Sequence, residues 1–280
     1  MSEAAFPVMD LTAHGRGDLA HLFLNTYLEA SGDYRGVTGL RFYLVYRAMV
    51  RAKVELLRAT QAGTAAEKRE LALAACRNYI ALAVSYTRPS CGAVIITHGL
   101  SGSGKSTVTQ VLIAELGAIR LRSDVERRRM TGATASTRTR SPIDEGIYSP
   151  DVTARVYGAL HSLASVIVRN GFPVVVDATF LQKDQRDLFR RLAQELRVPF
   201  TIVSMTATPD VLRARIASRA AAGRDFSEAT SSVLENQIAT QESLTAEEIN
   251  DAIRIDAGND CTSNKGMLLD ALERRICCPA

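Results

Sequence analysis

The sequence predicts an α/β fold in which a parallel five-stranded sheet lies between helices, preceded by a small all-helical segment. Three observations lead to this prediction. After residue 92, short apolar runs alternate with amphipathic stretches; a glycine-rich stretch directly follows the first run; and residues 1–86 show helical spacing only. Apolar strands that alternate with helices are typical of a parallel sheet covered on both faces. We therefore expect two domains, at residues 1–86 and 92–280.

The N-terminal segment is predicted to contain about three helices. Apolar residues recur at helical spacing in residues 18–30, 40–59 and 66–86. The stretch TRPSCG at 87–92 carries Pro, Gly and Ser, which favour a turn or linker. No catalytic constellation is visible in this segment.

Five apolar runs are the predicted strands of the second domain. They are AVIIT (93–97), AIRL (118–121), PVVVDA (173–178), FTIVSMTA (200–207) and AIRID (252–256). Capping chemistry supports the helices between them. Thr208 precedes a helix that would begin at Pro209, and Thr245 and Glu248 have the spacing of a capping box.

Composition limits the classes of function. The chain has 280 residues, a net charge of +4 and 46% hydrophobic residues, as expected for a soluble globular protein. No apolar run approaches the roughly 20 residues that span a bilayer, and the N-terminus shows no export signal. The five cysteines lack the spacing of a disulfide framework or a zinc site. We expect a cytoplasmic protein with free thiols and no membrane partner.

The glycine-rich stretch THGLSGSGKSTV fits the pattern GxxxxGK[ST]. Its glycines allow successive backbone amides to surround phosphates, and the following helix adds its positive N-terminal end. Lys105 would bridge the terminal phosphates, and Ser106 would bind Mg²⁺. The pattern therefore predicts binding of a nucleoside triphosphate. The predicted binding residues are Gly99, Leu100, Ser101, Gly102, Ser103, Gly104, Lys105, Ser106 and Thr107.

A second carboxylate is expected near this loop. The buried run PVVVD ends in Asp177, which should lie at the carboxyl edge of the sheet. A carboxylate at that edge can hold Mg²⁺ directly or through water. We predict that Ser106 and Asp177 are the metal-binding residues.

The segment RSDVERRR follows the second predicted strand and should open at the same edge. Arg122 and Arg127 flank Asp124, and their charges are expected to keep it ionised. Asp124 could then accept a proton from a substrate hydroxyl. Asp124 and Arg127 are the predicted acceptor-binding residues. The alternative is that Asp124 only caps the helix that follows.

If the bound triphosphate donates a phosphoryl group to this substrate, arginines downstream are candidates for neutralising charge on the transferred group. We choose Arg219 and Arg224, because they lie nearest the loop that follows the predicted helix. The polar helical stretch 227–243 could act as the moving half of a lid.

Taken together, these motifs resemble a bacterial family of P-loop kinases related to gluconate kinase, adenylylsulfate kinase and the zeta-toxin kinases. The motifs are GLSGSGKST, RSDVxR, EGIYSP, VVVDATF and RxxAGRDxSEA, within about residues 92–260. The resemblance implies a nucleoside-kinase-like sheet, an arginine-bearing lid and ATP as the phosphoryl donor. It also implies that Asp124 binds substrate or acts as the base, and that residues 253–258 lie near the adenine pocket.

The N-terminal segment resembles the last helices of an aminoglycoside-phosphotransferase-like domain. The catalytic pattern HGDxxxxN of that domain is missing, since HGRGD at 14–18 does not fit it. The segment is thus expected to be a docking or stabilising unit of the protein and not to form a second active site.

The leading hypothesis is transfer of the γ-phosphoryl group of ATP, with Mg²⁺, to a hydroxyl of a small-molecule acceptor. One alternative is a nucleotide-dependent regulatory switch. Another is a polynucleotide 5′-kinase that uses the arginine-rich stretch 120–140. That stretch has no aromatic residue on which bases could stack, so a nucleic-acid partner is disfavoured. The sequence does not specify the acceptor or the oligomeric state.

Overall fold

A computed structural model describes residues 1–88, 92–132, 149–222, 231–257 and 261–276. The chain divides into two compact units, Met1–Ser90 and Cys91–Ala280.

The first unit is helical. Its elements are α1 (Ser2–Ala13), α2 (Gly17–Ser31), a single 3₁₀ turn (Tyr34–Gly36), α3 (Val37–Thr60) and α4 (Ala66–Thr87). The three predicted helices correspond to α2, α3 and α4, whereas α1 was not predicted. Pro7 lies inside α1, and proline normally argues against a helix interior. It is tolerated here in the second turn, and Ala5 and Met9 on either side of it are fully buried.

The second unit contains the predicted parallel five-stranded sheet. Its strands are β1 (Ala93–His98), β2 (Ile119–Arg122), β3 (Pro173–Asp177), β4 (Phe200–Thr206) and β5 (Ala252–Asp256). Their order is β2-β3-β1-β4-β5, and every pairing is parallel. The fold prediction is confirmed, because each of the five predicted runs forms a strand of this sheet.

Helices connect the strands. They are α5 (Lys105–Leu116), α6 (Ser123–Thr131), α7 (Pro150–Arg169), α8 (Lys183–Leu196), α9 (Pro209–Ala222), α10 (Ser231–Thr240), α11 (Ala246–Asp251) and α12 (Cys261–Ile276). The predicted capping box is present at α11: Thr245 accepts from the Glu248 amide, and the Glu248 carboxylate accepts from the Thr245 amide.

Both faces of the sheet are buried. On one face, Ile95, Val175 and Val203 pack with residues of α5 and α12. Helices α7 and α8 also pack on the sheet, and Val94 and Ile96, which alternate with Ile95 along β1, are fully buried. The carboxyl ends of parallel strands share one edge, so the residues that follow β1, β2 and β3 meet there. Among the described residues, no helix is long and apolar enough to cross a membrane.

Candidate active site

The loop between β1 and α5 has a backbone that glycine alone adopts easily. Gly99 has a φ of 141°, and a Cβ atom at this position would lie 2.5 Å from the carbonyl oxygen of Met205. Gly104 has a φ of 86° and is the N-cap of α5. Side chains are strained in such conformations, so the glycine spacing of the sequence has a direct structural cause. The loop delivers the chain to the positive end of α5, where an anion is favoured.

Lys105 folds back over this loop. Its Nζ atom donates hydrogen bonds to the carbonyl oxygens of Gly99, at 2.9 Å, and Leu100, at 2.7 Å. The ammonium group is therefore held against the loop and not in open solvent. A positive charge at this point, beside backbone amides and a helix N-terminus, suits a chain of phosphate groups.

Ser106 and Asp177 form a pair of oxygen ligands next to the loop. The Ser106 hydroxyl donates to Oδ2 of Asp177 at 3.0 Å, and the Thr109 hydroxyl lies 3.4 Å from the same oxygen. Asp177 is almost fully buried, and Nε of Arg122 lies 3.9 Å from its Oδ2. A hydroxyl and a carboxylate fit Mg²⁺, which prefers oxygen ligands and commonly takes one or two from protein. The donor set thus agrees with the predicted metal site.

The turn after β3 is fixed to β1 by hydrogen bonds. The hydroxyl of Thr97 donates to the carbonyl oxygen of Ala178 at 2.6 Å and lies 3.1 Å from its amide nitrogen. The Gly99 amide donates to the carbonyl oxygen of Thr179 at 3.1 Å. These bonds connect the start of the phosphate loop to the residues directly after Asp177. The carboxylate therefore keeps a defined position relative to the loop.

Phe180 completes this turn in a strained conformation. Its φ is +50°, which is uncommon for a residue other than glycine. The ring of Phe180 packs edge-on against Tyr157 and Phe189, with centroids 5.2 Å apart in each pair. The Phe180 amide donates to the Tyr157 hydroxyl at 3.4 Å. Burial of the ring thus stabilises a turn that the backbone alone would disfavour.

Asp124 lies in the first turn of α6 but does not cap it. The helix begins at Ser123, its N-cap is Arg122, and no side chain caps it. The helix-capping alternative is therefore wrong.

The environment of Asp124 differs from the expectation as well. The residue is half-buried, and the surrounding protein raises the pKa of its carboxyl group; the charge of Asp177 acts in the same direction. The charges of Arg122, Arg127 and Lys105 lower that pKa, but they do not outweigh burial. Burial thus opposes the effect expected of the arginines, and the ionised state of Asp124 stays a prediction. A carboxylate with a raised pKa holds a proton more readily, which suits a general base.

Arg127 is buried in the middle of α6. Its Nη1 atom donates to the Thr153 hydroxyl on α7 at 3.2 Å. Arg122 occupies the last position of β2, in register with Asp177 on β3. Arg127 and Asp177 both lie close enough to Asp124 for their charges to act on its carboxyl, so the predicted acceptor-binding residues are near the metal pair.

The chosen lid arginines are not brought to the site by described contacts. Arg219 lies within α9, with its side chain outside the described residues, and Arg224 lies outside them altogether. Arg215, one turn earlier, does contact the loop. Its Nη1 atom lies 3.5 Å from the carbonyl oxygen of Gly102, and Nη2 donates to the carbonyl oxygen of Ala257 at 2.6 Å. In the sequence, the one feature that pointed to Arg215 was its spacing of four from Arg219, which places both residues on one face of the helix.

Two other residues near the loop were missed by sequence reasoning. His98 ends β1, and Nδ1 lies 3.0 Å from the Ser204 hydroxyl. Burial, with the charges of Arg186 and Lys105, lowers the pKa of His98 to about 4, so its ring is neutral at pH 7. The side chain of Gln237 on α10 reaches the backbone amide of Ser101. No sequence pattern points to either contact, because both join distant parts of the chain.

A family model described as an AAA domain matches residues 94–244, more than half of the chain. The chain belongs to this AAA-domain family. The matched residues run from β1 through the phosphate loop and α10, so the family region contains the loop, Asp124 and Asp177.

Solved structures that share the fold of this chain include kinases. A sugar kinase from Janibacter sp. HTCC2649 has a TM-score of 0.50 and 18% identity, covering 66% of this chain and 95% of its own. A putative kinase from Chloroflexus aurantiacus has a TM-score of 0.51 and 20% identity, with coverages of 66% and 98%. Kti12 of Chaetomium thermophilum, in complex with ADP-AlF3, has a TM-score of 0.51 and 16% identity, with coverages of 66% and 100%. At these identities the likeness concerns the fold.

Curated relatives of this AAA-domain chain occur in mycobacteria. Uncharacterized proteins of Mycobacterium tuberculosis H37Rv and Mycobacterium bovis are 33% identical to it over 225 residues. The match covers 80% of this chain, which spans less than half of the relatives' length, 44%. The resemblance of residues 1–86 to an aminoglycoside-phosphotransferase-like domain stays a prediction.

Proposed function

We propose that this chain is an ATP-dependent phosphotransferase that moves the γ-phosphoryl group to a hydroxyl of a small-molecule acceptor. The observation that carries the proposal is Asp124. Asp124 lies in the first turn of α6, directly after β2, and Arg122 at the end of β2 is in register with Asp177. A nucleotide-binding protein needs the phosphate loop and a metal pair, but it has no need of a second carboxylate beside them. That carboxylate is what phosphoryl transfer to a hydroxyl requires.

On the donor side, three groups would hold the phosphates. The amides of the loop and of the first turn of α5 would surround the anionic oxygens, and Lys105, already held at the loop, would bring its charge to the terminal phosphates. Ser106 and Asp177 would hold Mg²⁺. The metal ion supplies charge neutralisation to the phosphate oxygens.

On the acceptor side, Asp124 would accept the proton of the attacking hydroxyl. Arg127, buried behind it, would orient the acceptor together with Asp124. Arg219 and Arg224 are proposed to neutralise charge on the transferred group, a role that arginines take in phosphoryl transfer. A small molecule is favoured over a polynucleotide, since the arginine-rich stretch has no aromatic residue for base stacking.

The proposal is tested by incubating the protein with ATP and Mg²⁺ and a library of hydroxylated metabolites. The expected result is a compound heavier by one phosphoryl group, formed together with ADP. The variant Asp124→Asn should form the phosphorylated product about 10²- to 10⁴-fold more slowly. ADP formation at the same rate with and without every acceptor would contradict the proposal.

A regulatory switch is the second candidate, and one observation favours it. Phe42, Tyr46 and Met49 lie at helical spacing on α3, and each is about half exposed or more. An exposed apolar stripe of this kind suits contact with another protein body. A switch would hydrolyse ATP slowly without an acceptor, and Asp124→Asn would leave that hydrolysis unchanged.

A further inference from the structure

The outer part of the phosphate loop is held by helix α10. The backbone amide of Ser101 donates to Oε1 of Gln237 at 2.9 Å. Ser101 is buried, so this amide is paired with a side chain far along the sequence and not with solvent. A buried backbone amide without a partner would cost free energy. Gln237 therefore satisfies a donor that the bend of the loop exposes.

Apolar packing seats α10 at the same place. Leu234 is fully buried and packs with Leu212 and Ile216 of α9, and Leu100 and Ile238 lie against this cluster. Leu234, Gln237 and Ile238 are spaced three and four apart, so they share one face of the helix. The face that buries Leu234 is thus also the face that presents Gln237 to the loop.

The chain after α10 is fastened to the turn that follows β3. Nε2 of Gln182 donates to the carbonyl oxygen of Thr240 at 2.8 Å. The Glu242 amide donates to the carbonyl oxygen of Leu181 at 2.9 Å.

A buried arginine adds to this attachment. The Arg186 guanidinium donates to the carbonyl oxygens of Phe180, Glu242 and Ser243 and to the Glu248 carboxylate. Arg186 and Glu248 are each at most 2% exposed. Helix α10 is therefore attached at its C-terminal end to the turn after β3; the movement of 227–243 as half of a lid stays a prediction.

We propose that Gln237 is a positioning residue for phosphate binding: it holds Ser101 so that the loop keeps its shape before a nucleotide arrives. The inference rests on the proposed function, because it assumes that the loop binds nucleotide phosphates. A loop whose glycines have left-handed conformations loses much conformational freedom when it is ordered. A hydrogen bond from an attached helix orders the loop in advance, and so lowers the conformational entropy that is lost when a nucleotide binds.

The test uses the full chain and three variants. Gln237→Leu removes the acceptor and keeps a side chain of similar size on the helix. Gln241→Leu, one turn later at an exposed position, is the matched control. Gln237→Glu keeps an oxygen acceptor and is the conservative rescue. Two quantities are measured: hydrogen exchange of the amides of residues 99–104 without ligand, and the calorimetric Kd for ADP with Mg²⁺.

Gln237→Leu should accelerate exchange in the loop at least about fivefold and raise the Kd for ADP about three- to tenfold, as expected for one lost hydrogen bond. Gln241→Leu should match the wild type in both measurements. Gln237→Glu should restore slow exchange; its Kd is not compared, since its added charge opposes the phosphates.

Equal exchange and equal Kd in Gln237→Leu and Gln241→Leu would overturn the inference, and so would faster exchange with an unchanged Kd. If the wild-type chain binds no ADP, the proposed function fails at that step, before any variant is compared, and the inference falls with it.

Discussion

The phosphate side and the acceptor side of the sheet edge are built differently. On the phosphate side, Lys105 is bonded to loop carbonyls and Ser106 to Asp177, so a single loop and one neighbouring strand supply the groups. On the acceptor side, Asp124 and Arg127 come from α6, and Arg127 is held by Thr153 of α7. If the proposed roles hold, phosphate recognition would depend on local backbone geometry, whereas acceptor recognition would depend on packing between helices.

Lys105→Ala tests the phosphate side and should have the largest effect. Loss of the ammonium removes the charge that faces the phosphates, so we expect ATP turnover to fall by about 10³-fold or more. Turnover is measured by coupled ADP release. Lys68→Ala, at an exposed position on α4, is the control and should be unchanged. Full activity of Lys105→Ala would contradict the assignment of Lys105 to the phosphate side, and with it the comparison of the two sides.

Asp124→Asn tests the acceptor side alone. The amide cannot accept the proton of the attacking hydroxyl, so phosphoryl transfer should fall by about 10²- to 10⁴-fold. The Kd for ATP should change less than about threefold, since no phosphate contact is removed. Asp151→Asn, exposed at the start of α7, serves as the control. Transfer at the wild-type rate would remove Asp124 from the mechanism.

Arg186→Met examines the link between α10 and the turn after β3. Removing the arginine leaves the Glu248 carboxylate buried without its partner, and we expect a loss of about 3–5 kcal/mol in the free energy of unfolding. Arg213→Met breaks an exposed pair with Glu235 and should lower the free energy of unfolding far less, because solvent screens that pair. Urea unfolding measures both. Equal losses would mean that the buried Arg186–Glu248 pair contributes no more to the free energy of unfolding than the exposed pair does.

His98 gives the smallest expected effect, a dependence of stability on pH. The pKa of His98 is about 4 in the folded chain and near 6.5 when unfolded. Between these values the unfolded state binds the extra proton, so stability falls as pH falls through this window. We expect a loss of about 2 kcal/mol from pH 7.5 to 5.0 that is absent in His98→Asn. The same loss in both proteins, by urea unfolding, would assign it to other groups.

The sequence was sufficient for the sheet and the phosphate loop, and insufficient for the contacts around them. The central strands were predicted because a strand buried on both faces needs apolar residues nearly throughout, whereas β2 and β5 lie at the edges and alternate buried with more exposed residues. The loop was predicted because a positive φ at Gly99 and Gly104 restricts those positions to glycine. Arg215 and Gln237 escaped detection, since each meets the loop only when distant segments fold together. The net direction of the Asp124 pKa shift depends on burial, which has no local sequence pattern.

The central claim is that the loop at 99–107 holds the phosphates of a nucleotide. Calorimetric titration of the full chain with ATP and Mg²⁺ tests it most directly, with Lys105→Ala titrated in parallel. We expect saturable one-to-one binding to the wild type, weakened by about tenfold or more in the variant. Absence of any heat of binding in the folded wild type, or equal affinity in both proteins, would contradict it.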